Sequence, residues 1–244
     1  MAMTGFTLIT GATSDIGRQI CATLEASGHS LFLTDLCEEA LTETKAGLQH
    51  PELHLTLALD LSEVEHAEQA LTQFINEHQI RISNAVFAAG IFAVKPIKLL
   101  NYEFVKKNFD IALFSAISIS KVLTSKRINA ENLTGIVFLS SVSAVLGTKG
   151  YSTYSAVKAG MLGLMKSMAT ELAPRVRVNA VMPGGIRTRT TKFIYDNQVT
   201  PDSRYLLGEG LKTDIADMVD FLLSEKSRWV TGQEFVVDGG LTIN

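Results

Sequence analysis

Cysteine is almost missing from this chain: Cys21 and Cys37 are the only two in 244 residues. Neither has a partner at metal-ligand spacing, which excludes a disulfide scaffold and leaves no metal site to expect. Cys21 reads as helix filler and Cys37 as a loop residue. Excess basic charge is also lacking, since the formal net charge is −3 and no basic run occurs. Neither nucleic acid nor a polybasic membrane contact is therefore expected as a partner. No apolar run reaches spanning length, and the opening Met-Ala-Met-Thr-Gly lacks the basic and apolar regions of a signal peptide. With 46% hydrophobic and 19% charged residues, the expectation is an ordinary globular protein of the cytoplasm.

What is present is a repeated alternation. Phe6–Thr10 is a short β-branched apolar run, followed by Gly11-Ala12-Thr13-Ser14-Asp15-Ile16-Gly17 and an amphipathic stretch over 18–27. Strand, glycine turn and helix in that order offer free N–H groups to a pyrophosphate at the helix start. A second strand over 30–34 ends at Asp35, 18 residues after Gly17. An acid there accepts hydrogen bonds from adenosine ribose hydroxyls and repels a 2′-phosphate. Leu36 and Cys37 supply no basic side chain, so NAD(H) is favoured and NADP(H) stays open. The plainer alternative is that Asp35 only starts a turn.

The rhythm continues with helices over 38–48 and 63–78, strands over 54–59 and 84–88, a long helix over about 101–126 and a strand Gly135–Leu139. A strand over 177–181, a helix near 214–224 and a last strand Glu234–Val237 complete it. The expected fold is α/β: one doubly wound (Rossmann) parallel sheet of about seven strands, helices on both faces, in a single domain over 1–244. Ligands bind such sheets at strand C-terminal ends. Tyr154-Ser-Ala-Val-Lys158 places an ammonium one helical turn beyond a phenol, where it would favour the phenolate. Ser141 precedes Tyr154 by thirteen residues.

In order and spacing, the 10–17 turn, Asp60-Leu61, Ala89-Gly90, Ser141, Tyr154 with Lys158, Pro183-Gly184, Thr231-Gly232-Gln233 and Asp238-Gly239-Gly240 resemble the short-chain dehydrogenase/reductase family. The look is nearest to bacterial 3-oxoacyl-carrier-protein reductases and their sugar or polyol dehydrogenase relatives. The resemblance implies hydride transfer between a nicotinamide cofactor and a carbonyl or secondary alcohol, on a small or carrier-bound substrate. It gives Tyr154 the proton, Ser141 a hydrogen bond to the same oxygen, and Lys158 the roles of lowering the Tyr154 pKa and binding the nicotinamide ribose. It places Gly11, Thr13, Ser14, Asp15, Ile16, Gly17, Asp35, Ala89, Gly90, Tyr154, Lys158, Pro183 and Gly184 at the cofactor. Asp60 and Leu61 match the adenine site, and Ile186 and Thr188 the nicotinamide carboxamide. Asp238-Gly239-Gly240 is read as turn chemistry outside the site.

Two residues depart from the family pattern. Asp15 stands at its middle glycine, either capping the helix with its charge outward or pointing inward and lowering cofactor affinity. Ala112 stands where relatives carry an asparagine of a proton relay to the lysine, with Asn108 one turn earlier as a conceivable substitute. Retained but slowed proton transfer is the expectation. A catalytically weak dinucleotide-binding sensor is the rival reading. Arg187, Arg189 and Lys192, with Arg127 and Arg175, could meet a phosphate or acidic carrier. Phe193, Ile194 and Tyr195 form the only apolar cluster of a modest lid. The helix over 159–169 is apolar almost all round, so it is buried either in the core or against another subunit, and the resemblance implies the latter, in a homodimer or homotetramer.

Overall fold

The structure is a computed structural model and describes residues 5–192 and 203–244. Seven parallel strands form one sheet in the order β3-β2-β1-β4-β5-β6-β7. They are β1 (Phe6–Thr10), β2 (Leu31–Asp35), β3 (Leu55–Ala58), β4 (Ile82–Phe87), β5 (Gly135–Leu139), β6 (Arg177–Pro183) and β7 (Glu234–Val237). The direction of winding reverses between β1 and β4, which opens a crevice above their C-terminal ends. Register keeps those ends level: Thr10 pairs with Thr34 and Phe87, and Phe87 with Phe138.

Each central strand is buried on both faces, and the period of two divides its side chains between two cores. Leu8, Phe32, Ile136 and Phe138 face α3 (Val64–His78), α5 (Ser115–Thr124) and α7 (Ser152–Leu172), meeting Leu71, Ile119 and Met161. Their neighbours Ile9, Leu33, Val137 and Leu139 face α1 (Asp15–Ala26) and a helix α8 (Lys212–Leu223), meeting Ile20, Leu24, Ile215 and Val219. Helices α2 (Glu38–Ala46) and α6 (Lys126–Asn129) fill the remaining connections.

Helix α1 starts at Asp15, three residues earlier than its apolar pattern predicts, because the Ser14 hydroxyl accepts from Gly17 N at 3.0 Å and caps it. Ser14, not Asp15, is the cap. The single long helix expected over 101–126 is α4 (Tyr102–Phe109), a five-residue π turn Asp110–Phe114 and then α5. A π turn inserts one extra residue and rotates the helix beyond it. Among the described residues no helix is long and apolar enough to cross a membrane, and no cluster of metal-ligating side chains occurs.

Candidate active site

Helix α7 carries Tyr154 and Lys158 on its first turns, directly over the end of β5. The strand grips the lysine at two points. Lys158 Nζ donates to Leu139 O at 2.5 Å, and Ser140 Oγ donates to Lys158 O at 2.8 Å. The Lys158 side chain is buried, and loss of hydration pulls its ammonium from 10.5 down to about 8. Its Nζ lies 5.8 Å from the Tyr154 ring centroid. Ser141 follows at the strand end, where its hydroxyl accepts from Ser143 N at 3.1 Å and is thereby oriented.

Burial holds the Tyr154 phenol above its ordinary value, a hydrogen bond from Ser141 pulls it the other way, and Tyr151 adds to the rise. The expected lowering by Lys158 is thus absent. Burial is the largest influence on the phenol, and the Lys158 ammonium is directed at Leu139 O.

These groups line a cavity of about 510 Å³ together with Ser14, Asp15, Ile16, Gly90, Pro183, Gly184, Ile186 and Thr188. Eleven residues widely separated in sequence therefore meet in one crevice. Gly11, Thr13, Gly17 and Ala89 shape its wall rather than line it. Gly11 sits at φ +71, and a Cβ there would come 2.8 Å from Ala89 Cα. A Cβ on Gly17 would come 2.1 Å from Gly11 O, so neither position accepts a side chain.

Asp35, Asp60 and Leu61 lie beyond the cavity, at the ends of β2 and β3. Asp35 does more than start a turn: its Oδ2 accepts from Thr13 N at 3.0 Å and Thr13 Oγ1 at 2.7 Å, tying the acid to the glycine turn. Asp60 accepts from the Ser62 hydroxyl and amide, which hold its carboxyl below the usual range. Gly184 packs against Asp238, whose carboxylate accepts from Gly240 N and Thr242 N and fixes the final turn.

The model of the family described as enoyl-(acyl carrier protein) reductase matches residues 11–242. A 3-oxoacyl-[acyl-carrier-protein] reductase of Thermotoga maritima is 30% identical over 243 residues, covering 97% of each chain. The chain belongs to the short-chain dehydrogenase/reductase family. A cyclopentanol dehydrogenase of a Comamonas species is 31% identical over 246 residues, 97% of this chain and 96% of that one. The solved structure of a 4-hydroxyisoleucine dehydrogenase complexed with NADH is 27% identical with a TM-score of 0.90, covering 98% and 99% of the two chains. As a short-chain dehydrogenase/reductase, this protein is a nicotinamide-dependent oxidoreductase of carbonyls and alcohols, similar to the 3-oxoacyl-carrier-protein reductases.

The crevice fits such a cofactor on its own chemistry. The start of α1 lines it, where the first amides of a helix have no acceptor in their own helix. Gly90 lies beside the lysine, where a Cβ would stand in ordinary contact, 3.6 Å from Nζ.

Both family departures have a structural outcome. Asp15 turns neither outward as a cap nor freely inward; its carboxylate is bound by Arg189 of the loop after β6. Ala112 lies buried in the π turn, where its methyl adjoins the space above Gly90. Asn108 is buried, and its amide donates to Phe104 O at 2.8 Å in its own helix. Asp110 is held by Lys106 at 2.6 Å.

Several contributors lie outside the expected set. Phe92 stands edge-on to both Tyr151 and Tyr154 at 5.2 Å, forming an aromatic wall. Tyr205 Oη accepts from Gly185 N at 3.0 Å and steadies the loop after β6. Tyr151, immediately before α7, carries no spacing signal of its own, and the Leu139 carbonyl that anchors Lys158 belongs to the backbone. The supposed lid cluster at Phe193, Ile194 and Tyr195 lies outside the described residues. Of the supposed cationic landing, Arg175 pairs with Glu131 at 3.0 Å, Arg187 with Glu209 at 3.3 Å and Arg189 with Asp15 at 2.9 Å.

Proposed function

We propose that this single-domain protein is an NAD(H)-linked reductase of small ketones, with Tyr154 as proton donor, Ser141 as the second hydrogen-bond donor to the reacting oxygen and Lys158 as the residue that binds the nicotinamide ribose. The observation that carries the reading is the Ser141–Tyr154–Lys158 cluster lining the crevice, with Ser141 and Lys158 buried and Asp35 beyond it at the end of β2. A nicotinamide, when bound, supplies or accepts the hydride. Everything else falls to the chain.

Burial keeps Tyr154 protonated at neutral pH, as a donor to a carbonyl oxygen must be. Ser141, already accepting from Ser143 N, has its hydroxyl proton to give to the same oxygen. The reverse reaction, alcohol oxidation, needs the phenolate and gains as pH rises. Lys158, with its pKa at about 8, keeps most of its charge at neutral pH.

Asp35 favours NAD(H), as its carboxylate would repel a 2′-phosphate and Arg18 is directed at Thr13 O. Gly11, Thr13, Ser14, Asp15, Ile16 and Gly17 would meet the pyrophosphate, and Asp60 and Leu61 the adenine. Ala89, Gly90, Pro183, Gly184, Ile186 and Thr188 would meet the nicotinamide half.

A 3-oxoacyl thioester is the substrate that the family likeness supports. The apolar wall of Phe92, Leu146 and Tyr151 favours a second reading, a small cyclic secondary alcohol, over a polyol. The ion pairs of Arg175 and Arg187 count against docking of an acidic carrier. Cys37, exposed and free, suits a reducing cytoplasm. The exposed face of α7 at Ala156, Ala159 and Gly163, with exposed Phe114 and Ile117, suits pairing into a dimer or tetramer. A rate screen with NADH, NADPH and their oxidised forms against 3-oxoacyl thioesters, cyclic ketones and polyols tests the reading. NADPH preference would refute the role of Asp35; cofactor binding with no turnover on any substrate would favour a sensor.

A further inference from the structure

The cavity that holds Tyr154 and Lys158 ends at Ser14, Asp15 and Ile16, whereas Thr13 and Asp35, on the adenosine side, lie outside it. At that boundary stands an ion pair. Asp15 Oδ2 accepts from the main-chain N of Arg189 at 2.5 Å and Asp15 Oδ1 from its Nε at 2.9 Å. Arg189 Nη2 reaches on to Thr13 O at 3.1 Å. A dinucleotide running from Lys158 to Asp35 carries its pyrophosphate at its midpoint, and so passes this pair. The pair also sits at the first turn of α1, where amides and dipole favour an anion. The anion there now is Asp15.

We propose that Asp15 is an internal competitor for the cofactor pyrophosphate: Arg189 exchanges the Asp15 carboxylate for the pyrophosphate on binding, and Asp15 thereby limits affinity and favours cofactor release. The inference rests on reading the crevice as a nicotinamide dinucleotide site. A guanidinium pairs with phosphate oxygens as well as it does with a carboxylate, so the exchange keeps its hydrogen bonds. The Arg189 side chain is 71% exposed and that of Asp15 only 16%, which makes the arginine the partner able to move without disturbing packing. Once the exchange has occurred, a carboxylate and a pyrophosphate share one helix terminus, and their repulsion opposes binding.

Titration of NADH by fluorescence, and of ADP-ribose and adenosine by calorimetry, into the wild type, Asp15→Asn, Arg189→Gln and the double variant tests the exchange. Asp15→Asn is expected to tighten NADH and ADP-ribose about tenfold and to leave adenosine, which has no pyrophosphate, unchanged. Arg189→Gln weakens the same two ligands, and the gain from Asp15→Asn shrinks in its background. Asp15→Asn also removes a favourable charge from a helix start, so its ligand-free melting temperature falls while its affinity rises. A bridge that merely braces the groove would lower both. Affinity for NADH unchanged or weakened by Asp15→Asn, or an equal gain for adenosine, overturns the exchange alone. Binding of NADH by none of the four proteins overturns the cofactor reading with it.

Discussion

Where β5 meets α7, a buried amine and a half-buried phenol have gained no counter-charge: Lys158 faces a carbonyl, and Tyr154 an aromatic wall and a serine. Where β1 meets α1, charges are met by partners and stay near solvent: Asp35 by Thr13, Asp15 by Arg189, and Arg18 by Thr13 O. The difference separates two tasks. A desolvated phenol and amine have shifted proton affinities and can serve proton transfer. A solvated, paired network selects a charged ligand by exchanging partners, with little change in protonation.

The sharpest way to break the dry half is Tyr154→Phe, expected to lower the turnover for ketone reduction roughly 10³-fold while leaving NADH affinity unchanged by titration. Lys158→Met should lower it by about 10²-fold and also alter stability. The folded lysine has its pKa near 8 against 10.5 unfolded, so the unfolded chain binds more protons between those values. Wild-type stability therefore rises with pH across that window, and the burial penalty, about 3 kcal/mol, is present in full below it. The methionine variant should lose that slope and melt higher at neutral pH, less the cost of leaving Leu139 O unpaired. Equal slopes in pH-dependent denaturant melts would show that Lys158 is not dehydrated.

In the paired half, Asp35→Ala should move the ratio of kcat/KM for NADH over NADPH by about tenfold toward NADPH, because an anion next to the 2′-position is removed. An unchanged ratio would place cofactor choice elsewhere. The smallest effect belongs to Ala112→Asn, expected to raise turnover by a few-fold, on the order of 1 kcal/mol in the barrier. No change would mean that the Leu139 carbonyl already does for Lys158 what the asparagine does in relatives.

Much of this was legible in the chain itself. Alternating apolar runs predict the seven parallel strands, since strands buried on both faces read as continuous Val, Ile and Leu. The helix period places Lys158 one turn beyond Tyr154, and the family resemblance adds Ser141 to the pair. What spacing could not supply is balance. The sign of the Tyr154 shift depends on how much water burial removes, which is a property of packing. The partner of Asp15 lies 174 residues away, and the break in the 101–126 helix comes from a π turn that no periodicity announces. Ser14 takes the cap because its hydroxyl reaches Gly17 N, a competition between adjacent residues that composition leaves undecided.

The claim that a dehydrated phenol supplies the proton is tested most directly by the pH dependence of kcat/KM for ketone reduction, measured for the wild type beside Tyr154→Phe. The wild-type rate should stay level through neutral pH, begin to fall above about 8 as Lys158 loses its proton and fall further once Tyr154 does, while the residual rate of the variant keeps only the Lys158 step. A wild-type reduction rate that climbs with pH, or a phenylalanine variant that keeps both the rate and the profile, would contradict it.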